Sequence, residues 1–216
     1  MFSGLIREIA KVRALQNNIL SLDCSYTPEI GDSIAVNGMC LTVIALDSQG
    51  FCLEISKHSS QKVAIENYQG MVHIEPALLA NSRLDGHFVQ GHIDAIGTIK
   101  SIKKHVNQIH FEILAPKQTL LLAIPQGSIT IDGVSLTISD VRDESFFLTI
   151  IPHTFNHTLF HTYTIGRRVN IETDMIVRSV AHILSKKESL QANPNVPHST
   201  TNIAKWSEID EILMRY

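Results

Sequence analysis

The sequence predicts a mainly β protein in which one small antiparallel barrel occurs twice in tandem, followed by helix. Three observations carry that reading. The stretch Ser33-Ile-Ala-Val-Asn-Gly-Met-Cys-Leu-Thr-Val43 returns as Ser128-Ile-Thr-Ile-Asp-Gly-Val-Ser-Leu-Thr-Ile138, displaced by the 95 residues that separate Cys40 from Ser135, and self-similarity at a fixed offset marks a duplicated unit. The runs Ser33 to Val43, Phe51 to Ser56, Ser128 to Ile138 and Phe146 to Ile151 are short, rich in β-branched and aromatic residues, and punctuated by Asn37-Gly38, Gln49-Gly50 and Asp132-Gly133, as strands joined by tight turns should be. After residue 174 the apolar period lengthens to that of a helix.

In chain order, Met1 to Leu15 carries Arg7, Glu8, Lys11 and Arg13. These charges interrupt any apolar run, so neither a signal peptide nor a membrane span is expected and the protein is read as cytoplasmic. The duplication extends beyond the central match. Phe51 falls on Phe146, Leu53 on Leu148, Ile55 on Ile150 and His58 on His153, while Gly4-Leu-Ile6 corresponds to Gly91-His-Ile93 and Val72-His-Ile-Glu75 to Val169-Asn-Ile-Glu172. The first barrel is assigned to residues 1–86 and the second to 87–174. Closing each sheet on itself removes the open edges through which so small a module would pair with other chains.

Ile176, Val180, Ile183 and Leu184 then lie at helical spacing, with Lys186 and Lys187 at the negative end of the helix dipole. This predicts an amphipathic helix over 175–190 that must bury its apolar stripe. Residues 191–216 read as a linker containing Pro194 and Pro197, then a helical tail with Ile203, Trp206, Ile209, Leu213 and Tyr216 on one face.

Composition excludes several classes of function. A net charge of -3 gives no basic footprint for nucleic acid. Hydrophobic residues at 44% and charged residues at 18% are those of an ordinary globular chain. Cys24, Cys40 and Cys52 are odd in number and lack Cys-x-x-Cys spacing, against both a disulfide framework and a zinc knuckle. His153, His157 and His161 would face a metal only on a helix, and Ile151-Pro152 reads as the end of a strand. Gly133-Val-Ser-Leu-Thr137 lacks the second glycine of a nucleophile elbow. No Gly-rich phosphate fingerprint supports a flavin-dependent reductase.

Met1-Phe-Ser-Gly-Leu-Ile6, Asn37-Gly-Met-Cys-Leu-Thr42, Gly86-His-Phe-Val-Gln-Gly-His-Ile-Asp94, Asp132-Gly-Val-Ser-Leu-Thr137, Ile151-Pro-His-Thr154 and Val169-Asn-Ile-Glu-Thr-Asp174 together resemble the riboflavin synthase family, in order, from residue 1 to about residue 188. The resemblance implies two six-stranded Greek-key barrels and a C-terminal oligomerisation helix that builds a homotrimer. It implies that each barrel binds one 6,7-dimethyl-8-ribityllumazine, and that the productive site lies where the first barrel of one subunit meets the second barrel of the next. There a four-carbon unit would pass between the two ligands, giving riboflavin and 5-amino-6-ribitylaminouracil without metal or redox cofactor. Association with lumazine synthase is left open.

A dismutation needs two like pockets that nonetheless assign unlike roles, so positions where the copies differ are informative. Cys40 stands where Ser135 stands, Leu5 where His92 stands, and Ala77 where Asp174 stands. The resemblance places Cys40, His92, Ser135, Thr137 and Asp174 in catalysis. Proton transfer or orientation is expected of His92, Ser135 and Asp174, and contact with or addition to the partner lumazine of Cys40, since a thiolate is the better nucleophile. In other folds Cys40 would be a small buried hydrophobe, His92 a structural imidazole, Ser135 and Thr137 plain strand residues, and Asp174 a cap.

The binding set carried over is Gly4, Leu5, Ile6, Cys40, Leu41, Thr42, Glu54, Ile55, Ser56, Lys57, His58 and Ser59 for the first pocket. For the second it is Gly91, His92, Ile93, Gln126, Ser135, Leu136, Thr137, Ile151, Pro152, His153, Thr154, Phe155 and Asn156, with Ser33 and Ser128 as weaker candidates. The chain departs from the family pattern at Gln126, where a lysine is usual, and at His58-Ser59 in place of Glu-Thr or His-Thr. The rival reading is an antenna-type protein of the same fold that holds a lumazine or flavin without turning it over.

Overall fold

The computed structural model describes residues 1–192, with side chains through Lys187. The predicted linker and helical tail lie outside the described residues from 193 onward.

The first six strands are β1 (Glu8–Gln16), β2 (Ile19–Asp23), β3 (Ser33–Val36), β4 (Met39–Asp47), β5 (Gly50–Glu54) and β6 (Met71–Pro76), closed in the order β1-β2-β5-β4-β3-β6. The next six are β7 (Ala95–Lys104), β8 (Ile109–Leu114), β9 (Ser128–Ile131), β10 (Val134–Val141), β11 (Ser145–Ile150) and β12 (Arg168–Thr173), closed in the same relative order. All pairings are antiparallel. The two expected six-stranded barrels are therefore observed.

Alternation explains the closure. Along β8 every second residue is buried, and a period of two puts one face of each strand into the barrel interior. Leu20, Leu22, Ile34, Phe51, Leu53 and Ile74 fill the first interior, and Phe111, Ile113, Ile129, Phe146, Leu148 and Ile171 the second. Bulges bend β1, β4, β7 and β10 at Val12/Ala14, Val43/Ala45, Ile99/Ser101 and Ile138/Asp140, the corresponding places in each copy, where a strand must turn a barrel corner.

The barrels meet along a pseudo-twofold seam of buried polar groups. On one side His73 Nδ1 lies 2.9 Å from the carbonyl oxygen of Asp132, and its Nε2 accepts the Leu159 N–H at 2.7 Å. On the other, Asn170 Nδ2 donates to the carbonyl of Asn37 at 2.9 Å and its Oδ1 accepts the Ala64 N–H at 2.8 Å. Because Nε2 must accept, the proton sits on Nδ1 and the His73 ring is neutral. Burial pushes its pKa down to about 4.

Short helices close the barrel ends: α1 (Lys57–Ser60), α2 (Lys117–Leu122) and α3 (Pro152–His157). Pro152 starts α3 rather than merely ending a strand, because its fixed φ suits a first helical turn. His153 and His157 consequently stack, with ring centroids 4.1 Å apart. Among the described residues no cluster of His, Cys, Asp and Glu is arranged to hold a metal. Helix α4 (Met175–Ala192) follows β12, with Ile176 and Val180 exposed in the single chain. No described helix is long and apolar enough to cross a membrane.

Candidate functional site

The repeat produces two equivalent corners where β4 and β10 begin. Just before each, a two-residue turn reverses the chain, at Asn37–Gly38 and Asp132–Gly133, all with positive φ as a type I′ hairpin requires. The strand then presents Cys40 opposite Ala35 on β3, and Ser135 opposite Thr130 on β9.

A segment from outside the barrel lies across each corner. Cys40 donates its N–H to the carbonyl of Gly91 at 2.9 Å, and Ser135 donates its own to the carbonyl of Gly4 at 2.8 Å. The approach is close enough to exclude a side chain. A Cβ on Gly91 would lie 2.5 Å from Cys40 Cβ, and one on Gly4 2.6 Å from Ser135 Cβ. Both glycines also have φ near +80°, at +80° and +77°.

Each segment is held by a buried carboxylate. Glu172 on β12 accepts the N–H groups of Gln90, Gly91 and His92 at 2.7, 2.9 and 3.1 Å. Glu75 on β6 accepts the N–H and hydroxyl of Ser3 at 2.7 and 2.8 Å and the N–H of Gly4 at 3.0 Å. Burial pushes Glu172 up to about 7 and raises Glu75. The N–H donors, and for Glu172 the Arg178 guanidinium 3.7 Å away, favour the carboxylate. Neither glutamate was singled out from sequence; the signal was there, since both copies carry Ile-Glu one residue before the end of the last strand.

This crossing sets residues of one copy beside the other copy's corner. Gly91, His92 and Ile93, expected at the second pocket, stand beside the first corner. With Met39, Cys40, His58, Ser59, Lys62 and Val63 they line a cavity of about 410 Å³ at the first barrel, within the size range of small-molecule sites. Gly4 likewise lies against Ser135 of the second barrel, not against Cys40. Residues just upstream of a copy's first strand belong in space to the other copy, because the carboxylate that holds them and the strand they cover lie on opposite sides of the seam. A neighbouring cavity of about 590 Å³ shares Lys62, His92 and Ile93 and adds Asp94, Ile96, Pro116 and Arg178.

The five expected catalytic side chains are therefore divided. Cys40, half-buried, and His92, exposed, stand at the first corner. Burial pushes the Cys40 thiol up, against the Ser33 hydroxyl and the chain's α-amino group, which favour the thiolate, so the anion expected of a nucleophile is disfavoured there. Ser135 is half-buried on β10, and Thr137, two residues along the same strand, is exposed. Asp174 caps α4, its Oδ1 accepting the N–H groups of Ile176 and Val177 at 2.7 and 3.3 Å.

Of the remaining candidates, Leu41, Ile55 and Leu136 face the barrel interiors, whereas Thr42, Glu54, Ser56, Lys57, Ile151, Pro152, His153 and Asn156 are exposed. Ser56 caps α1 by accepting the Ser59 N–H at 3.0 Å. Sequence reasoning missed His87. Its Nδ1 lies 2.7 Å from Ser135 Oγ and its Nε2 3.2 Å from Thr130 Oγ1, with 8% of the residue exposed. It has no counterpart within the matched repeat segments, so comparing the copies could not expose it.

Residues 3–77 and 90–174 each match the family described as the lumazine binding domain. A riboflavin synthase from Bacillus subtilis (strain 168) is 35% identical over 96% of this chain and 99% of its own. One from Schizosaccharomyces pombe is 34% identical over 82% of this chain and 90% of its own. Among solved structures, LumP complexed with 6,7-dimethyl-8-(1'-D-ribityl) lumazine superposes with a TM-score of 0.70 at 22% identity, covering 80% of this chain and 99% of that one.

Proposed function

We propose that this chain, which belongs to the riboflavin synthase family, is itself a riboflavin synthase: a transferase that converts two molecules of 6,7-dimethyl-8-ribityllumazine into riboflavin and 5-amino-6-ribitylaminouracil. The observation that carries the reading is the pair of corners. Each has a hairpin start, a segment laid over it and a buried carboxylate behind, yet one presents a thiol and the other a hydroxyl. Two like frames suit two copies of one substrate, and unlike side chains assign them different parts.

In this reading each barrel takes one lumazine. The first corner, with Cys40 and His92, holds the molecule that accepts a nucleophile and then the carbon fragment. The second, with Ser135, Thr137 and Asp174, holds the molecule that loses a proton from its 7-methyl group. Ring edges would be read by main-chain groups near Gly4 and Gly91, and hydroxyls by Ser59 and Thr154. Reaction between the ligands needs two corners brought face to face. A homotrimer meets that need, with first and second barrels of neighbouring subunits opposed, and the exposed Ile176 and Val180 of α4 supply apolar surface for it. Lumazine synthase, as the source of the substrate, is the candidate partner for a larger assembly.

Incubating the purified protein with 6,7-dimethyl-8-ribityllumazine should produce riboflavin fluorescence and an equal amount of the pyrimidine. Lumazine that stays bound and unchanged would favour an antenna-type protein, the reading that the likeness to LumP keeps in view. Sedimentation should give three chains per particle; a monomer that turns over at the full rate would remove the inter-subunit site.

A further inference from the structure

We propose that His87 is the positioning residue for Ser135 and takes its proton, so that proton abstraction from the bound lumazine belongs to the second corner alone. The inference rests on the synthase reading and assigns a part to a residue outside the expected catalytic set.

The geometry is that of a three-member relay. Ser135 Oγ lies 2.7 Å from His87 Nδ1, the usual separation for a short hydrogen bond to a hydroxyl. Thr130 Oγ1 lies 3.2 Å from Nε2 on the far side of the ring. The imidazole is buried while the serine is half-exposed, so the hydroxyl stands between the ring and whatever occupies the corner. Burial pushes the His87 pKa down, against the nearby negative charge of Asp174, which favours the cation. The resting ring is neutral and has one N–H.

With that proton on Nε2, donated to Thr130, Nδ1 accepts the Ser135 O–H and the lone pairs of Oγ are free to face the ligand. The step then balances. A C–H bond of the lumazine 7-methyl group breaks and its proton passes to Ser135 Oγ. The serine's own proton passes to His87 Nδ1. The electron pair left on carbon spreads into the ring system, so a lumazine anion and an imidazolium form together, with Asp174 close enough to favour the cation. A serine alone could not do this, because an alcohol that accepts a proton without releasing one becomes a strong acid. Among the described residues no imidazole is hydrogen-bonded to Cys40 at the first corner. Cys40 packs with Phe2, Ala35 and Val89, and Ala35 occupies the cross-strand position that Thr130 occupies in the second copy.

The test follows exchange of the 7-methyl protons of 6,7-dimethyl-8-ribityllumazine with D2O by proton NMR, beside riboflavin formation and lumazine affinity by fluorescence titration. His87→Gln keeps a polar group but cannot take the proton. It should bind lumazine within about threefold of the parent yet lose about 100-fold or more in exchange and turnover. Ser135→Ala should lose a similar amount and the double variant no more, since members of one relay do not add. The parent's rate should fall as the pH drops through the imidazole's range, below about 6.5, and this acid limb should vanish in His87→Gln. Thr130→Val, nearly isosteric, should fold and lose about three- to tenfold. A His87→Gln enzyme that folds with near-normal rate or an unchanged acid limb overturns the relay, as do losses that multiply in the double variant. Should His87→Gln fail to fold, a Thr130→Val enzyme with unaltered rate and pH profile overturns it alone. A parent that makes no riboflavin brings down the synthase reading, and the relay with it.

Discussion

At the first corner the Cys40 side chain rests on Phe2, Ala35 and Val89, whereas at the second Ser135 rests on His87 and Thr130. Around them almost everything is repeated: the positive-φ turn, the glycine carbonyl that accepts the N–H of the strand's second residue, and the buried glutamate that holds the covering segment. The comparison teaches where a duplicated site can diverge. Main-chain hydrogen bonds and close glycine contacts are coupled to barrel closure, so altering one displaces the others. Side chains lining the corner touch only their neighbours and the ligand, and they are where the copies differ.

The sharpest way to break this comparison is to fill the two glycines. Gly91→Ala would drive a methyl group into Cys40 Cβ at 2.5 Å and its backbone nitrogen at 2.9 Å, and Gly4→Ala would do the same to Ser135 at 2.6 and 2.8 Å. Left-handed backbone costs a residue with a Cβ about 1–2 kcal/mol, and overpacking a further 1–3 kcal/mol. Each variant should therefore lose about 2–5 kcal/mol in urea unfolding, by similar amounts, with lumazine affinity reduced in both. If Gly4→Ala were tolerated while Gly91→Ala was not, the frames would not be equivalent.

The frame was legible from sequence because it is periodic. Offsets of 95 residues, Asn-Gly and Asp-Gly turns and alternating apolar positions report on strands and their order. The membership of the pockets was not, because it depends on a crossing that sequence offset cannot encode. His92 aligns with Leu5 and was placed with its own copy, yet it stands beside Cys40. His87 escaped for a related reason: its importance lies in a 2.7 Å contact with a residue on the far strand β10, and it has no partner in the repeat to be compared with. Asp174, by contrast, was legible as a cap, and it caps α4 while its charge bears on His87.

The seam offers a second comparison, between His73 and Asn170. The two side chains make the same pair of bonds, but only the imidazole can be protonated. Its pKa in the folded chain, about 4, lies below the ordinary 6.5. Between those values the unfolded chain binds the extra proton and the folded chain does not, so stability falls as the pH falls from 6.5 towards 4. At about 1.4 kcal/mol per decade the loss reaches about 3 kcal/mol at pH 4. His73→Asn should recover most of it there and change little at pH 7.5, as read from urea midpoints at the two pH values. Asp132 is pushed up to about 6 and titrates with the opposite sign, but it is present in both proteins. Equal acid sensitivity of parent and variant would mean that His73 is not the group responsible.

The smallest effect concerns the loops that enter β3 and β9. Gly31 and Gln126 occupy the same place in the two copies: φ is +97° and +66°, and their N–H groups donate to the carbonyls of Val43 and Ile138 at 2.9 and 2.8 Å. Gln126 thus bears a backbone cost that Gly31 does not, at the position where the sequence resemblance leads one to expect a lysine. Gln126→Lys leaves that cost unchanged, since both residues carry a Cβ, and alters only the charge. Gln126→Gly removes the cost and adds no charge. If the position matters through charge, the lysine variant should bind lumazine a fewfold more tightly, an exposed contact worth at most about 1 kcal/mol, and the gain should shrink as salt is added. The glycine variant should be about 1 kcal/mol more stable with affinity unaltered. A gain in affinity from glycine instead of lysine would show that loop conformation, not the missing charge, sets this chain's hold on its ligand.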